Sequence, residues 1–154
     1  MSAREDRLAE LGLKLPDVPA PVAAYVPAVR TGNLVFVSGQ LPFVDGKLPL
    51  TGKVGAEVSL EQATGLAQRC ALNALAAAAA AAGGLEAIVR VVKVVGYVAS
   101  APDFTGQPLV INGASELIGT VLGEAGVHAR AAVGVAVLPL DAPVEVELIA
   151  EVAP

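Results

Sequence analysis

Residues 76 to 82 are seven consecutive alanines, set in a stretch from Cys70 to Leu85 that carries no charge. Alanine is the strongest helix former available, so the run reads as the end of a helix. A membrane span is excluded, since crossing a bilayer takes about 20 predominantly apolar residues and alanine is only weakly apolar. Ser59 with Gln62 three residues on forms a capping box that predicts the start of this helix, and Gly83-Gly84 predicts its stop. Small or apolar residues at positions 63, 66, 67, 70, 74, 77, 78 and 81 fall on one face. Such a face lets the helix lie close on a sheet and cover it.

The remaining segments supply that sheet. Ser2 with Glu5, followed by Leu8, Leu11 and Gly12, predicts a short N-terminal helix. Pro16, Pro19 and Pro21 exclude helix from the lead-in that follows. Tyr25 to Arg30, a turn at Thr31-Gly32-Asn33 and Leu34 to Gln40 read as an antiparallel hairpin. Pro42 to Gly55 has the composition of a loop. Arg90 to Ser100, dense in valine and containing Tyr97, reads as a central strand buried on both sides. A second helix is expected from about Gln107 to Glu124, with Val110, Ala114, Leu117, Ile118 and Val121 inward and Gly126 closing it. Ala131 to Leu138 and Val144 to Val152 are the last two strands, the second alternating Val144, Val146, Leu148, Ala150 against Glu145, Glu147, Ile149, Glu151. The order β-β-α-β-α-β-β predicts an α+β fold, a sheet backed by two helices, as one domain over 1–154 with residues 1–20 as helix and lead-in.

Composition narrows the partners. Apolar residues make up 55%, yet there are only three Phe, two Tyr and no Trp, so the core must be built from Val, Leu, Ile and Ala. One domain of 154 residues cannot hide that much apolar surface, which predicts contact with further subunits. The net charge is −5 and the ten Lys and Arg are scattered from Arg4 to Arg130 without a run or stripe, which argues against nucleic acid as a partner. The start of the chain lacks the apolar stretch of a signal peptide, so a cytoplasmic protein is expected. Cys70, the single cysteine, reads as a small buried hydrophobe. His128, the single histidine, has no second His or Cys and no acidic residue at ligand spacing, so it supports neither a metal site nor a Ser-His-Asp arrangement. Gly32, Gly39 and Gly52 do not form a phosphate-binding fingerprint.

After Lys93 the chain has seven carboxylates but one permanent cation, Arg130, where a loop enters the apolar strand Ala131-Ala132-Val133-Gly134-Val135. A guanidinium placed there must be paired or meet a ligand. On pattern alone, a structural ion pair with one of those carboxylates is the better supported reading. Glu145, Glu147 and Glu151 read in the same way as an exposed strand face.

Three stretches carry a resemblance that changes these readings. They are Ala24-Tyr25-Val26-Pro27-Ala28-Val29 leading into Gly32 to Pro42, then His128-Ala129-Arg130-Ala131-Ala132-Val133, and then Leu138-Pro139 followed by Val144 to Ala150. In this order they resemble the RidA/YjgF family of reactive-intermediate (imine/enamine) deaminases, over nearly everything from Pro21 to Val152. The resemblance implies a chorismate-mutase-like homotrimer with a central barrel-like core, and clefts at the subunit boundaries lined by two chains. By position, Arg130 matches the arginine that grips a substrate carboxylate, and Glu147 the acidic residue that positions the attacking water. Tyr25, Ser38 and Gly39 match the stretch lining the pocket, Asn112 resembles an asparagine near the same cleft, and Ala132 lies where a main-chain acceptor engages the imine nitrogen. The hydroxyl and thiol residues usual after the arginine are alanine here, Ala131 and Ala132, and the N-terminal helix marks a longer branch. The implied chemistry is hydrolysis of a 2-imino acid such as 2-aminoacrylate to a 2-keto acid and ammonia without metal or organic cofactor. A metabolite-binding or chaperone-like protein is the alternative, and an endoribonuclease a weaker one.

Overall fold

The computed structural model describes residues 2–20 and 24–154. Eight elements form one layer of helix over one layer of sheet: α1 (Ala3–Glu10), β1 (Ala28–Thr31), β2 (Leu34–Gln40), α2 (Leu60–Ala82), β3 (Ile88–Ala99), α3 (Gln107–Leu122), β4 (Ala129–Val135) and β5 (Val144–Val152). The sheet order is β1-β2-β5-β3-β4, antiparallel throughout except where β3 and β4 run parallel. The parallel pair follows from the crossover through α3, which returns the chain to the same end of the sheet. The α+β class and the two backing helices are as expected.

Both capping boxes are present. Ser2 Oγ accepts from the Glu5 amide while the Glu5 carboxylate accepts from the Ser2 amide, and Ser59 and Gln62 repeat the exchange at the head of α2. Gly83 ends α2 in the left-handed region, where glycine carries no Cβ penalty. Arg4 and Arg7 fasten α1 to the molecule by donating to the carbonyls of Leu85, Ile88 and Val121, and Leu8 is buried beneath them.

The core lies between the inner face of the sheet and α2 with α3. Val144, Val146, Leu148, Ala150 and Val152 of β5 are all buried, as are Ala63, Ala67, Cys70, Ala71, Ala74 and Ala78 of α2. Burial also pushes the Cys70 thiol up from its ordinary pKa, with the Glu145 charge adding to the shift, so it stays protonated and packs as a small hydrophobe. Gly113 sets the spacing of the helices, because a Cβ there would run into the Thr64 carbonyl of α2.

Three expectations need correction. The first strand is Ala28–Thr31, not Tyr25–Arg30: Pro27 has no amide hydrogen to give a ladder, and the Val26 carbonyl accepts from Ser38 Oγ instead. Pro21, expected in the lead-in, lies outside the described residues. β3 is an interior strand but is not buried on both faces, since Val89 and Val92 are exposed. Register shifts after Ile88 and after Val91 turn its early burial into every third residue, Ile88, Val91 and Val94, rather than every second. β4 covers Ala129–Val135 rather than 131–138 and pairs only with β3, which ends at Ala99.

The packing predicts opposite effects for two helical glycines. Gly65, exposed on α2, has open space where a Cβ would sit, so Gly65→Ala raises stability by about 0.5–1 kcal/mol. Gly113→Ala lowers it by about 1–3 kcal/mol through overpacking. Urea unfolding at a fixed protein concentration checks both signs.

Candidate functional site

Arg130 is the second residue of the edge strand β4, in register with the buried Val94. Its side chain therefore points to the helix side of the sheet and meets α3. Pro108, Asn112 and Ser115, spaced by four and three residues, share the α3 face that receives it. Nη1 donates to Asn112 Oδ1 at 2.8 Å and to Ser115 Oγ at 3.2 Å, and Nη2 makes a long contact of 3.4 Å to the Pro108 carbonyl. Among the described residues no carboxylate lies within ion-pair distance of it, the one salt bridge being Arg4 to Glu86. The expected structural ion pair is thus corrected: β5 sends its glutamates to the other face, and neutral oxygens hold the guanidinium. Arginine has five N–H donors in a planar fork. Among the described residues, the Nε and Nη2 edge of that fork carries no hydrogen bond other than the long one to Pro108.

Glu145 and Glu147 alternate with the buried Val144, Val146 and Leu148, so they stand on the opposite face of the sheet from Arg130. Glu147 accepts from the Tyr97 hydroxyl at 2.5 Å across the β3–β5 pair. This hydrogen bond, then burial and the charges of Glu147 and Glu145, push the Tyr97 phenol up to about 12, so it remains a donor. Burial, then the Glu147 charge, push the Glu145 carboxyl above its ordinary range. Gly39, inside the β2 irregularity between Val37 and Gln40, leaves the space that the Glu145 carboxylate occupies. Ser38 lies beside it, its hydroxyl donating to the Val26 carbonyl at 2.7 Å. Tyr25 is 67% exposed just ahead of that bond.

The seven expected site residues therefore fall into two groups. Arg130, Asn112 and Ala132 are on the helix side at the β4 edge, Ala132 being half-buried in register with Gly96. Glu147 stands on the outer face, and Gly39 adjoins its neighbour Glu145, with Ser38 next to it along β2 and Tyr25 close in sequence. A concavity of about 300 Å³ on that outer face is lined by Phe36, Lys93, Val95, Glu147 and Ile149. A larger one of about 940 Å³ lies between the lead-in, the loop after β2 and α2, and contains none of the seven. Its Arg69 Nε and its Asn73 amide nitrogen already donate to the carbonyls of Phe43 and Leu41, a structural use of both side chains.

Three participants were not singled out from sequence as site residues. Tyr97 could be placed only by knowing that β3 pairs with β5. Ser115 follows Asn112 by three residues, a spacing that could have flagged it. His128 is not alone: its ring bridges Ser115 and the Gly126 carbonyl. Among the described residues no three His, Cys, Asp or Glu side chains converge as metal ligands would, and no helix is long and apolar enough to cross a membrane.

The raised Glu145 carboxyl predicts a pH effect. Its native state binds a proton more tightly than its unfolded state, so its contribution to stability is full below the ordinary carboxylate range and is lost as pH rises through the raised value. Glu145→Gln is therefore more stable than the parent protein at neutral pH, and the gain fades on acidification. Urea midpoints across that range check it, and a Glu145→Gln protein less stable at neutral pH would contradict it.

The chain matches, over residues 5–152, the family described as "YjgF/chorismate mutase-like, putative endoribonuclease". It is 46% identical over 145 residues to protein TCP17 of Trypanosoma cruzi, covering 94% of this chain and 91% of that protein. The crystal structure of Atu1372 from Agrobacterium tumefaciens superposes with a TM-score of 0.92 at 53% identity, covering 97% of this chain and 92% of that one. The structure of TdcF from E. coli with bound serine superposes at 0.62 with 25% identity, covering 88% and 94%. The sheet order, the strand motifs around Arg130 and Glu147, and a match running almost from end to end agree: this chain belongs to the YjgF/RidA family.

Proposed function

We propose that this protein hydrolyses 2-imino acids or their enamine tautomers, of the 2-aminoacrylate type, to 2-keto acids and ammonia in a cleft between subunits of a homotrimer. The observation that carries the reading is Arg130, a half-buried guanidinium held by the neutral oxygens of Asn112 and Ser115 and not by a carboxylate. A cation kept in this way retains its charge for an anionic ligand, and the Nε and Nη2 edge suits the two oxygens of a carboxylate. That TdcF binds serine, itself a small 2-substituted carboxylate, supports the same class of ligand here.

Arg130 and Glu147 lie on opposite faces of one sheet, so within one chain they do not flank a common small molecule. Two chains can bring them together, when the β4 edge of one approaches the outer face of the next. That face needs a cover in any case, since Val29, Leu34, Phe36 and Val133 are exposed on it. In the resulting cleft Arg130 holds the carboxylate, a main-chain group near Ala132 engages the imine nitrogen, and Glu147 of the neighbouring chain orients water. The water oxygen adds to the imine carbon, the nitrogen takes up the protons, and the carbon–nitrogen bond breaks to leave the keto acid and ammonia. Glu147 needs only to accept from the water, and the Tyr97 hydroxyl bond directs its carboxylate. Main-chain contacts serve at Ala131 and Ala132, where no side-chain hydroxyl or thiol is available. The substrate is labile, so positioning suffices, and the reading uses no cofactor, nucleic acid or membrane. A cytoplasmic setting, where such imines arise, fits it.

Coupling a dehydratase that releases 2-aminoacrylate to this protein and following pyruvate tests the reading. The protein is expected to accelerate pyruvate formation. Arg130→Ala is expected to lose about 10²-fold or more in kcat/KM, as removal of a charged hydrogen-bonding group from a site does. Pyruvate formation at the uncatalysed rate, or an Arg130→Ala protein as fast as its parent, would overturn it.

A further inference from the structure

We propose that Ser115 and His128 are positioning residues that fix the orientation of the Arg130 guanidinium through a hydrogen-bond chain of single polarity, ending on the Gly126 carbonyl. The role rests on the reading of Arg130 as the carboxylate grip; the chain itself rests on geometry alone. Its direction follows from what each end can do. The Gly126 oxygen can only accept, so His128 Nδ1, 2.6 Å away, carries a hydrogen. Arg130 Nη1 can only donate, so Ser115 Oγ, 3.2 Å away, accepts from it. The hydroxyl hydrogen of Ser115 then goes to His128 Nε2 at 2.9 Å, which in the neutral ring is an acceptor. Arg130 donates to Ser115, Ser115 to His128, and His128 to Gly126, with no member left in conflict.

The anchor is rigid. Gly126 is buried at the end of a short 3₁₀ turn, and a Cβ on it would run into the Ile118 carbonyl of α3, so the turn is packed against the helix that also carries Ser115 and Asn112. Asn112 and Ser115 thus hold Nη1 from two sides of one helical turn, and the planar guanidinium keeps its Nε and Nη2 edge at a constant angle. Without the Ser115 hydroxyl only the Asn112 bond fixes Nη1, and the plane can swing about it. Neither residue touches the ligand; both act through Arg130.

Two measurements test this. The chain has a single histidine, so the side-chain ¹⁵N spectrum at neutral pH reports His128 alone. The neutral tautomer with hydrogen on Nδ1 is expected, and hydrogen on Nε2 in the neutral ring would overturn the chain whatever the protein binds. The second is a double-mutant cycle on the affinity for pyruvate, the product of the proposed reaction. Ser115→Ala is expected to weaken binding about tenfold, the usual worth of one hydrogen bond to a charged group. Ser115→Thr restores it, and Ser115→Ala has no further effect in an Arg130→Ala background. An equal loss in both backgrounds would show that Ser115 does not act through Arg130. If pyruvate fails to bind the parent protein, the functional reading of Arg130 falls. The chain is then decided by the His128 tautomer and by the exchange of the Arg130 Nη1 hydrogens, which must quicken in Ser115→Ala for the hydrogen that Ser115 holds while the Asn112 bond remains.

Discussion

The two-residue period of β5 divides this molecule. Val144, Val146, Leu148, Ala150 and Val152 must enter the core beneath α2 and α3, so Glu145, Glu147 and Glu151 are forced to the other side of the sheet. No one-residue slip is tolerable, because it would bury three carboxylates and expose five apolar side chains. The alternation therefore acts on charge as well as on packing: it keeps every glutamate of β5 away from the helix side, where Arg130 finds only neutral oxygens. A single sheet thus carries an uncompensated cation at one edge and a cluster of carboxylates, with Tyr97, on the opposite face.

That separation gives the proposed site its shape. A chain with its polar groups on opposite faces and an apolar surface left uncovered is chemically incomplete, and a neighbouring copy can supply both the cover and the second half of the chemistry. The glutamate pair fits such a place. The Glu145 carboxyl is raised by burial and by the Glu147 charge, while Glu147 accepts from the Tyr97 hydroxyl. Of the two carboxylates it is Glu147 that the Tyr97 hydroxyl orients, and Glu147 that lines the outer-face concavity. On the other side, a hydrogen-bond chain without a carboxylate, running through Ser115 and His128 to Gly126, orients the arginine.

Local signals were legible in the sequence and long-range ones were not. The two capping boxes, the inner face of α3 and the limits of β5 follow from residues a few positions apart, and the structure has them where the spacing predicts. The bulged periodicity of β3 was not legible, because it depends on how β5 pairs with it. Arg130 was visible as the one permanent cation of the C-terminal third, yet pairing with a carboxylate was the natural expectation, since linear sequence does not say which face of the sheet the glutamates take. His128 looked solitary for a related reason: its partners are a carbonyl and a serine of α3 that only the folded chain brings to it. Tyr25, Ser38, Gly39, Asn112 and Ala132 came from the resemblance alone. The structure sets them in two places, and it is the proposed assembly of chains that would unite them.

The central claim, that Arg130 of one chain and Glu147 of another serve one substrate, is tested most directly by subunit mixing. Arg130→Ala and Glu147→Gln proteins, each inactive alone in the 2-aminoacrylate assay, are unfolded together and refolded as mixed oligomers. If the cleft draws one residue from each of two chains, random assembly restores about a quarter of the parent activity, since each cleft has an even chance of an intact residue from either contributing chain. If both residues act within one chain, every chain still carries one defect. Mixed oligomers that form and remain inactive would contradict the account.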